Sequence, residues 1–376
     1  MIRAWIRRFS PALLAVAVLS ATACGQPAKP SGWAAPRLVD DTLYVSIEKG
    51  KMAALDAGDL SVKWVFPPNT DEGKRLKLEG IYGAPVFGND AVYFGAHDGN
   101  VYALNAKTGA PLWRFETADP IVGALTVTDG GKLYVGSTDG ILYTITVADC
   151  TSTCPAGAVE TFDTGSSIWG APLVIDTAVY VPAMNGRLYA LNPDTLQPLE
   201  GFSFEAAAGL LTDPVEATDG VILVGGIDEK LYALDAATGD QVWDKPLPGS
   251  NWFWGSPLVD RDTIYVPGLD GRVYAVDAAG KAAWDPQFKA LSPVRASPLL
   301  AGDVLVVIDK NGGAYGVDPA TGTLKWGGVN APVLLNKDVL SDPLLLDGEV
   351  LVVAQGGDLF RIDPETGAQR SVEVAQ

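Results

Sequence analysis

Residues 96–113 read AHDGNVYALNAKTGAPLW: an Asp-Gly turn, an apolar-alternating stretch, a Thr-Gly turn and a run ending in tryptophan. The same phrase returns as DGILYTITVADC from 139, NGRLYALNPDTLQPL from 185, DEKLYALDAATGDQVW from 228, DGRVYAVDAAGKAAW from 270, NGGAYGVDPATGTLKW from 311 and GGDLFRIDPETGAQR from 356. A degraded first copy, KGKMAALDAGDLSVKW, begins at 49. The residue closing each Tyr-Ala-Leu-Asp-like core falls at Asp56, Asn105, Thr146, Asn192, Asp235, Asp277, Asp318 and Asp363, so eight units follow at steps of 41 to 49 residues. A period of that size marks a repeat architecture.

Upstream of each core lies a small-small-Pro start, an apolar run, a polar turn and a second run, as in GAPVFGNDAVYFGAHDG from 83 and GSPLVDRDTIYVPGLDG from 255. Short runs of Val, Tyr, Leu and Ile between Asp-Gly, Asn-Gly and Thr-Gly turns are strand and hairpin signals. They predict four strands per unit, A to D, near 85–88, 91–95, 100–105 and 111–116 in the second. No sustained helical period occurs outside the N-terminus, and 42 Gly with 26 Pro suit a turn-dense chain. The expected fold is all-β: an eight-bladed β-propeller of four-stranded antiparallel blades. Each blade must stack on its neighbours, and Trp64, Trp113, Trp243, Trp284 and Trp326, alike in position in strand D, are the rings to fill the gaps. The third unit has Phe162 near that place and the eighth has no counterpart, so those blades should pack differently.

The YALDAATGxxxW pattern, clearest at 232–243, resembles the repeat of the pyrroloquinoline-quinone type, and the likeness runs from Trp33 to the end. Within that group the chain is similar to the outer-membrane assembly factor B family of eight-bladed lipoproteins. That resemblance implies scaffolding, although the family's partner-binding loops have no residue-by-residue match here. The repeat family also includes quinoprotein dehydrogenases, whose Ca²⁺, catalytic aspartate and adjacent Cys-Cys disulfide form part of their pattern. This chain has no Cys-Cys pair and no carboxylate pair standing apart from the repeat. Asp98, Asp139 and Asp270 precede Gly in hairpin turns, where Asp is expected. The single histidine, His97, falls in the same turn as Asp98, and neither a nucleophilic triad nor a phosphate-cradling Gly loop accompanies it. The expectation is a protein that is not an enzyme and carries no cofactor.

Residues 1–23 read as a signal peptide: a basic MIRAWIRR, an apolar PALLAVAVLSATA, then Cys24 after small residues. Cys24 stands where bacterial lipoproteins are acylated, with a plain signal-peptidase cut at the same alanine as the alternative, since Ala21 replaces the usual Leu. Arg7-Arg8 resembles a twin-arginine signal, but Phe9 falls one place early. Residues 24–32 form a Pro/Gly tether and 33–376 the propeller. Cys150 and Cys154, in an insertion after strand C of the third unit, predict a local disulfide in an exported chain, and no third ligand suggests a metal. The formal charge of −18 becomes more negative once Arg3, Arg7 and Arg8 leave with the leader. Such acidity argues against nucleic acid, while the export signal and the scaffolding that the resemblance implies make a cell-envelope protein the expected partner and a lipid anchor the membrane contact.

Antiparallel strands put D-to-A and B-to-C connections on one face and the others opposite. Before strand A the units place Trp33, Tyr82, Val122, Trp169, Leu211, Trp254, Arg295 and Leu340 at the channel mouth. Trp33, Tyr82, Trp169, Trp252, Phe253 and Trp254 are the candidate binding face, with Lys74, Arg75 and Lys77 as a basic patch beside it. The same aromatics could instead plug the channel or take a small ligand such as a quinone or saccharide.

Overall fold

Strands rich in Val, Tyr and Leu, cut by Gly at positive φ, fold back on themselves within every unit. The computed structural model describes residues 32–373, apart from 48–49, 72, 176–177, 219 and 329. The leader, Cys24, the tether up to residue 31 and the side chain of Lys74 lie outside the described residues. Eight antiparallel sheets cover 37–66, 86–116, 126–163, 173–205, 215–248, 258–289, 299–334 and 344–372, here blades 1 to 8. Each has the order A-B-C-D, drawn from a single repeat with no strand borrowed. In blade 2 the strands are Val86–Gly88, Ala91–Gly95, Asn100–Asn105 and Pro111–Glu116. No α-helix occurs among the described residues.

Because side chains alternate along a strand, each blade faces two neighbours at once. In blade 2, Val92 and Phe94 join Tyr44, Met52 and Ala54 of blade 1, whereas Ala91 and Tyr93 join Leu133 and Val135 of blade 3. Leu43, Val45 and Leu55 of blade 1 meet Leu351, Val353 and Leu359 of blade 8, and that contact closes the ring. Strand A is short; it is half-buried along its length in blades 2, 4 and 6, whereas in blade 1 Arg37 and Leu38 are exposed.

Four of the recurring tryptophans lock their blade to the next. Indole Nε1 of Trp64 donates to the Ala106 carbonyl at 2.9 Å, Trp243 to Ala278 at 2.9 Å, Trp284 to Pro319 at 3.0 Å and Trp326 to Pro364 at 2.7 Å. The acceptors sit in the C-to-D turn of the following blade. A Cβ on Gly109, Gly280, Gly322 or Gly367 of those turns would lie within 2.8 Å of the ring, so Gly is required by contact as well as by positive φ. Two positions depart from expectation. Strand D of blades 5 and 6 is only Leu247–Pro248 and Phe288–Lys289, which leaves Trp243 and Trp284 in the bends before it. In blade 6, Gln287 fills the gap by accepting from the Ala275 N–H and donating to the Trp284 carbonyl. Blade 7 gains a fifth strand, Val333–Leu334, where a loop was expected. It pairs with Gly313 and Ala314 of strand C, beyond the point where Leu324–Trp326 stops.

Trp113 meets the insertion instead of an ordinary turn. Cys150 and Cys154 are bonded to each other, pack on the Trp113 cluster, and bring Thr153 beside Arg114 of blade 2. Phe162 of blade 3 meets Tyr189 of blade 4 edge-on, its ring centroid 5.3 Å away.

Candidate functional site

The turn between strands B and C explains the recurrent aspartates. Asp98, Asp139 and Asp270 each accept from the backbone N–H two residues on and from a tyrosine hydroxyl four residues on, Tyr102 at 2.6 Å, Tyr143 at 2.7 Å and Tyr274 at 2.6 Å. Burial and the neighbouring aspartates push the Tyr143 and Tyr274 hydroxyls up to about 12. These pairs are structural and fix the upper face.

On that face every D-to-A connection is tied to the B-to-C turn of the blade it enters. The carbonyls of Gly80, Pro120, Ser167, Gly209, Trp252, Pro293 and Asp338 accept from the N–H groups of His97, Thr138, Met184, Ile227, Leu269, Lys310 and Gln355. The connections are therefore held rigidly around the channel. Close approach between successive blades accounts for the glycines there: a Cβ on Gly83 would stand 2.4 Å from the Gly123 carbonyl oxygen.

The eight residues preceding strand A, from Trp33 to Leu340, all line one cavity of about 200 Å³. Within it the Arg295 guanidinium is stacked between two indoles, 3.9 Å from the Trp33 centroid and 3.9 Å from that of Trp254. Tyr82 stands edge-on to Trp33, centroids 4.1 Å apart, and Trp169 edge-on to Trp254 at 6.2 Å. Four of the expected aromatics thus come together, half-buried, around a cation. Nε and Nη2 of Arg295 are buried without a hydrogen-bond partner, and the residue forms no ion pair among the described residues. Burial lowers its pKa to about 10, opposed by Tyr82 and Asp342.

Trp252 and Phe253 separate from this group. Trp252 is 41% exposed, whereas Phe253 is wholly buried in the core between blades 5 and 6. Phe253 is bridged to Gly268 in extended backbone, and in such a segment neighbouring side chains point to opposite sides. Exposed Leu291 and Leu334, which the sequence reading passed over, stand in the next two D-to-A connections. Arg75 and Lys77 are exposed in the connection from blade 1 to blade 2. His97 lies beside Tyr82 at 5.4 Å, with Nδ1 3.9 Å from a Glu79 oxygen.

Asp213 and Asp342 also line the cavity and were not singled out from sequence. They occupy the place of a small residue in the small-small-Pro start, as Thr-Asp-Pro and Ser-Asp-Pro where other units have Ala or Ser. Asp213 accepts from the Ala171 N–H at 2.6 Å and Asp342 from the Ser297 N–H at 2.6 Å, each reaching back to the equivalent position of the preceding blade. Burial pushes both carboxyls above their usual range, against those N–H groups and the positive charge of Arg37.

Comparisons with known proteins agree with the ring. The family model described as "Outer membrane protein assembly factor BamB" matches residues 69–198 and 155–332. The outer membrane protein assembly factor BamB of Burkholderia pseudomallei is 26% identical over 279 residues, 68% of this chain and 68% of that one. Quinohemoprotein alcohol dehydrogenase of Comamonas testosteroni is 29% identical over 178 residues, but the match covers 41% of this chain and 25% of the dehydrogenase. Among solved structures, BamB from Moraxella catarrhalis superposes with a TM-score of 0.65 at 17% identity, covering 86% of this chain and 92% of that one. At that identity the likeness concerns the fold.

Proposed function

The chain belongs to the family of the outer membrane protein assembly factor BamB, and we propose that it is an exported, lipid-anchored propeller serving as a binding or assembly scaffold for another protein of the cell envelope. In this reading residues 1–23 are removed, Cys24 carries the lipid and 24–32 tether the ring of residues 33–376 to the membrane. The name of the relatives places their work in outer-membrane protein assembly, which supports an envelope partner here. The partial match to a dehydrogenase supports only a shared repeat, and the reading assigns no reaction to the chain.

The observation that carries the proposal is an apolar arc on a rigid face. Trp252, Leu291 and Leu334 are 41%, 56% and 52% exposed, one in each of three successive D-to-A connections. Large apolar side chains gathered on one face favour a partner, and Trp in particular anchors interfaces. The exposed Arg75 and Lys77 add basic charge to an acidic protein and would steer an acidic partner towards the same face.

A photocrosslinker placed at 252 in native envelopes tests this. It should capture one envelope protein, and Trp252→Ala combined with Leu291→Ser should abolish recovery of that protein by the intact propeller. Recovery unchanged by these substitutions, with the melting temperature retained, would overturn the role of this face.

A further inference from the structure

The channel mouth carries a feature that scaffolding does not use: a half-buried cation held between two indoles, with two of its nitrogens unpartnered. Arg295 has an indole on each face, and its Nε and Nη2 are shielded from water without an acceptor. A desolvated charge without a hydrogen-bonding partner is costly, and stacking on rings recovers only part of that cost. Rings cover both faces and Nε and Nη2 are shielded, so an acceptor lodged in the cavity that the residue lines would meet the guanidinium at Nη1.

We propose that the mouth is a receptor site for a compact monocarboxylate with an apolar or aromatic body. Each part of that class answers to a group in the wall. The guanidinium favours a carboxylate, which can accept a charge-assisted N–H bond at Nη1. Trp33, Tyr82, Trp169 and Trp254 form the sides against which an apolar body packs. Asp213, Asp342 and Arg37 line the same space; the two carboxyls already oppose the charge of Arg37, so Arg295 is the cation left for an anion and a polyanion is disfavoured. A cavity of about 200 Å³ has room for a body of about a single ring. Trp252, Leu291 and Leu334 do not line this cavity, and the inference does not depend on the scaffold reading.

Benzoate is the probe, with benzyl alcohol, phthalate and inorganic phosphate as comparators, titrated by calorimetry into the whole mature protein. Saturable one-to-one binding of benzoate is expected, at least tenfold tighter than any comparator. Arg295→Met should weaken it at least tenfold, Arg295→Lys by less, and neither should alter partner capture through position 252. No saturable benzoate binding would overturn the proposal. Equal binding of benzyl alcohol would also overturn it, by reducing the site to an apolar pocket, and preference for phthalate or phosphate would overturn the monoanion class. Should Arg295→Met fail to fold, the side-chain ¹⁵Nε resonance of Arg295 in the unmodified protein decides. It should shift saturably with benzoate, and a resonance that stays put refutes the contact.

Discussion

Replacement of Trp243 by alanine tests how the ring is held together. The side chain is 4% exposed between blades 5 and 6, its Nε1 donates to Ala278, and its Cδ2 lies 2.6 Å from where a Cβ on Gly280 would stand. Removing a buried Trp side chain loses its transfer free energy and leaves a cavity, together about 3–5 kcal/mol. The freed Ala278 carbonyl belongs to a turn that water can reach, so the lost hydrogen bond adds roughly 1 kcal/mol at most. Gly280→Ala is destabilising for two reasons. Gly280 has φ +77°, which costs an alanine about 1–2 kcal/mol, and the new methyl would press on the indole.

Those two terms separate in a double-mutant cycle. In the Trp243→Ala background the methyl at 280 meets space instead of a ring, and only the backbone strain remains. The double mutant should therefore be more stable than the sum of the single effects, by about 1 kcal/mol or more. Urea unfolding followed by circular dichroism, compared at unchanged slope, supplies the numbers. Trp252→Ala, at an exposed ring, should stay within about 0.5 kcal/mol of the parent. Strict additivity at 243 and 280, or a loss at Trp252 equal to that at Trp243, would refute the interblade lock as described.

Three further outcomes are expected. Cys150→Ser with Cys154→Ser opens a loop of only a few residues, so the cost should be ~2 kcal/mol or less in chemical unfolding, with the propeller spectrum kept. Tyr274→Phe keeps the ring but removes the hydroxyl from Asp270, which should cost about 1 kcal/mol. Burial alone would lift Asp270, yet hydrogen bonds from Tyr274 and Arg272 hold its carboxyl below the usual range, so carboxyl NMR should find it higher in that variant. Asp213→Asn keeps an acceptor for the Ala171 N–H while removing a carboxyl that burial pushes up. A folded state that holds its proton more tightly than the unfolded chain loses stability as pH rises from the ordinary carboxylate range through the raised value. The variant should therefore melt on the order of 1 °C or more above the parent at neutral pH and lose that advantage near pH 4, and parallel melting curves across that range would contradict it.

What could be read from the chain was whatever recurs at the period of the repeat. The blade 2 strands fall within a residue of the expected limits because each is bounded by Gly, Asn or Asp at a turn. The Trp-Phe-Trp run at 252–254 was read as three rings on one face, although an extended segment cannot present three consecutive side chains to the same side. Period-two alternation was the available signal, and it sends Phe253 to the core. Thr-Asp-Pro and Ser-Asp-Pro were also visible, but an aspartate in a turn-rich chain looks like turn chemistry until its neighbours across the ring are known. The Arg295 stack was legible by no local rule. Arg295 opens blade 7, Trp33 opens blade 1, and blade 8 between them contributes Leu340 at the equivalent position. A leucine is shorter than an indole, so the mouth leaves a gap there through which an arginine from one side can reach a tryptophan from the other. That contact joins residues more than 250 positions apart, and it exists only because eight blades close the circle at that diameter. The site is thus a property of the ring, written in the one charged residue among the eight that precede strand A and in the short side chain beside it.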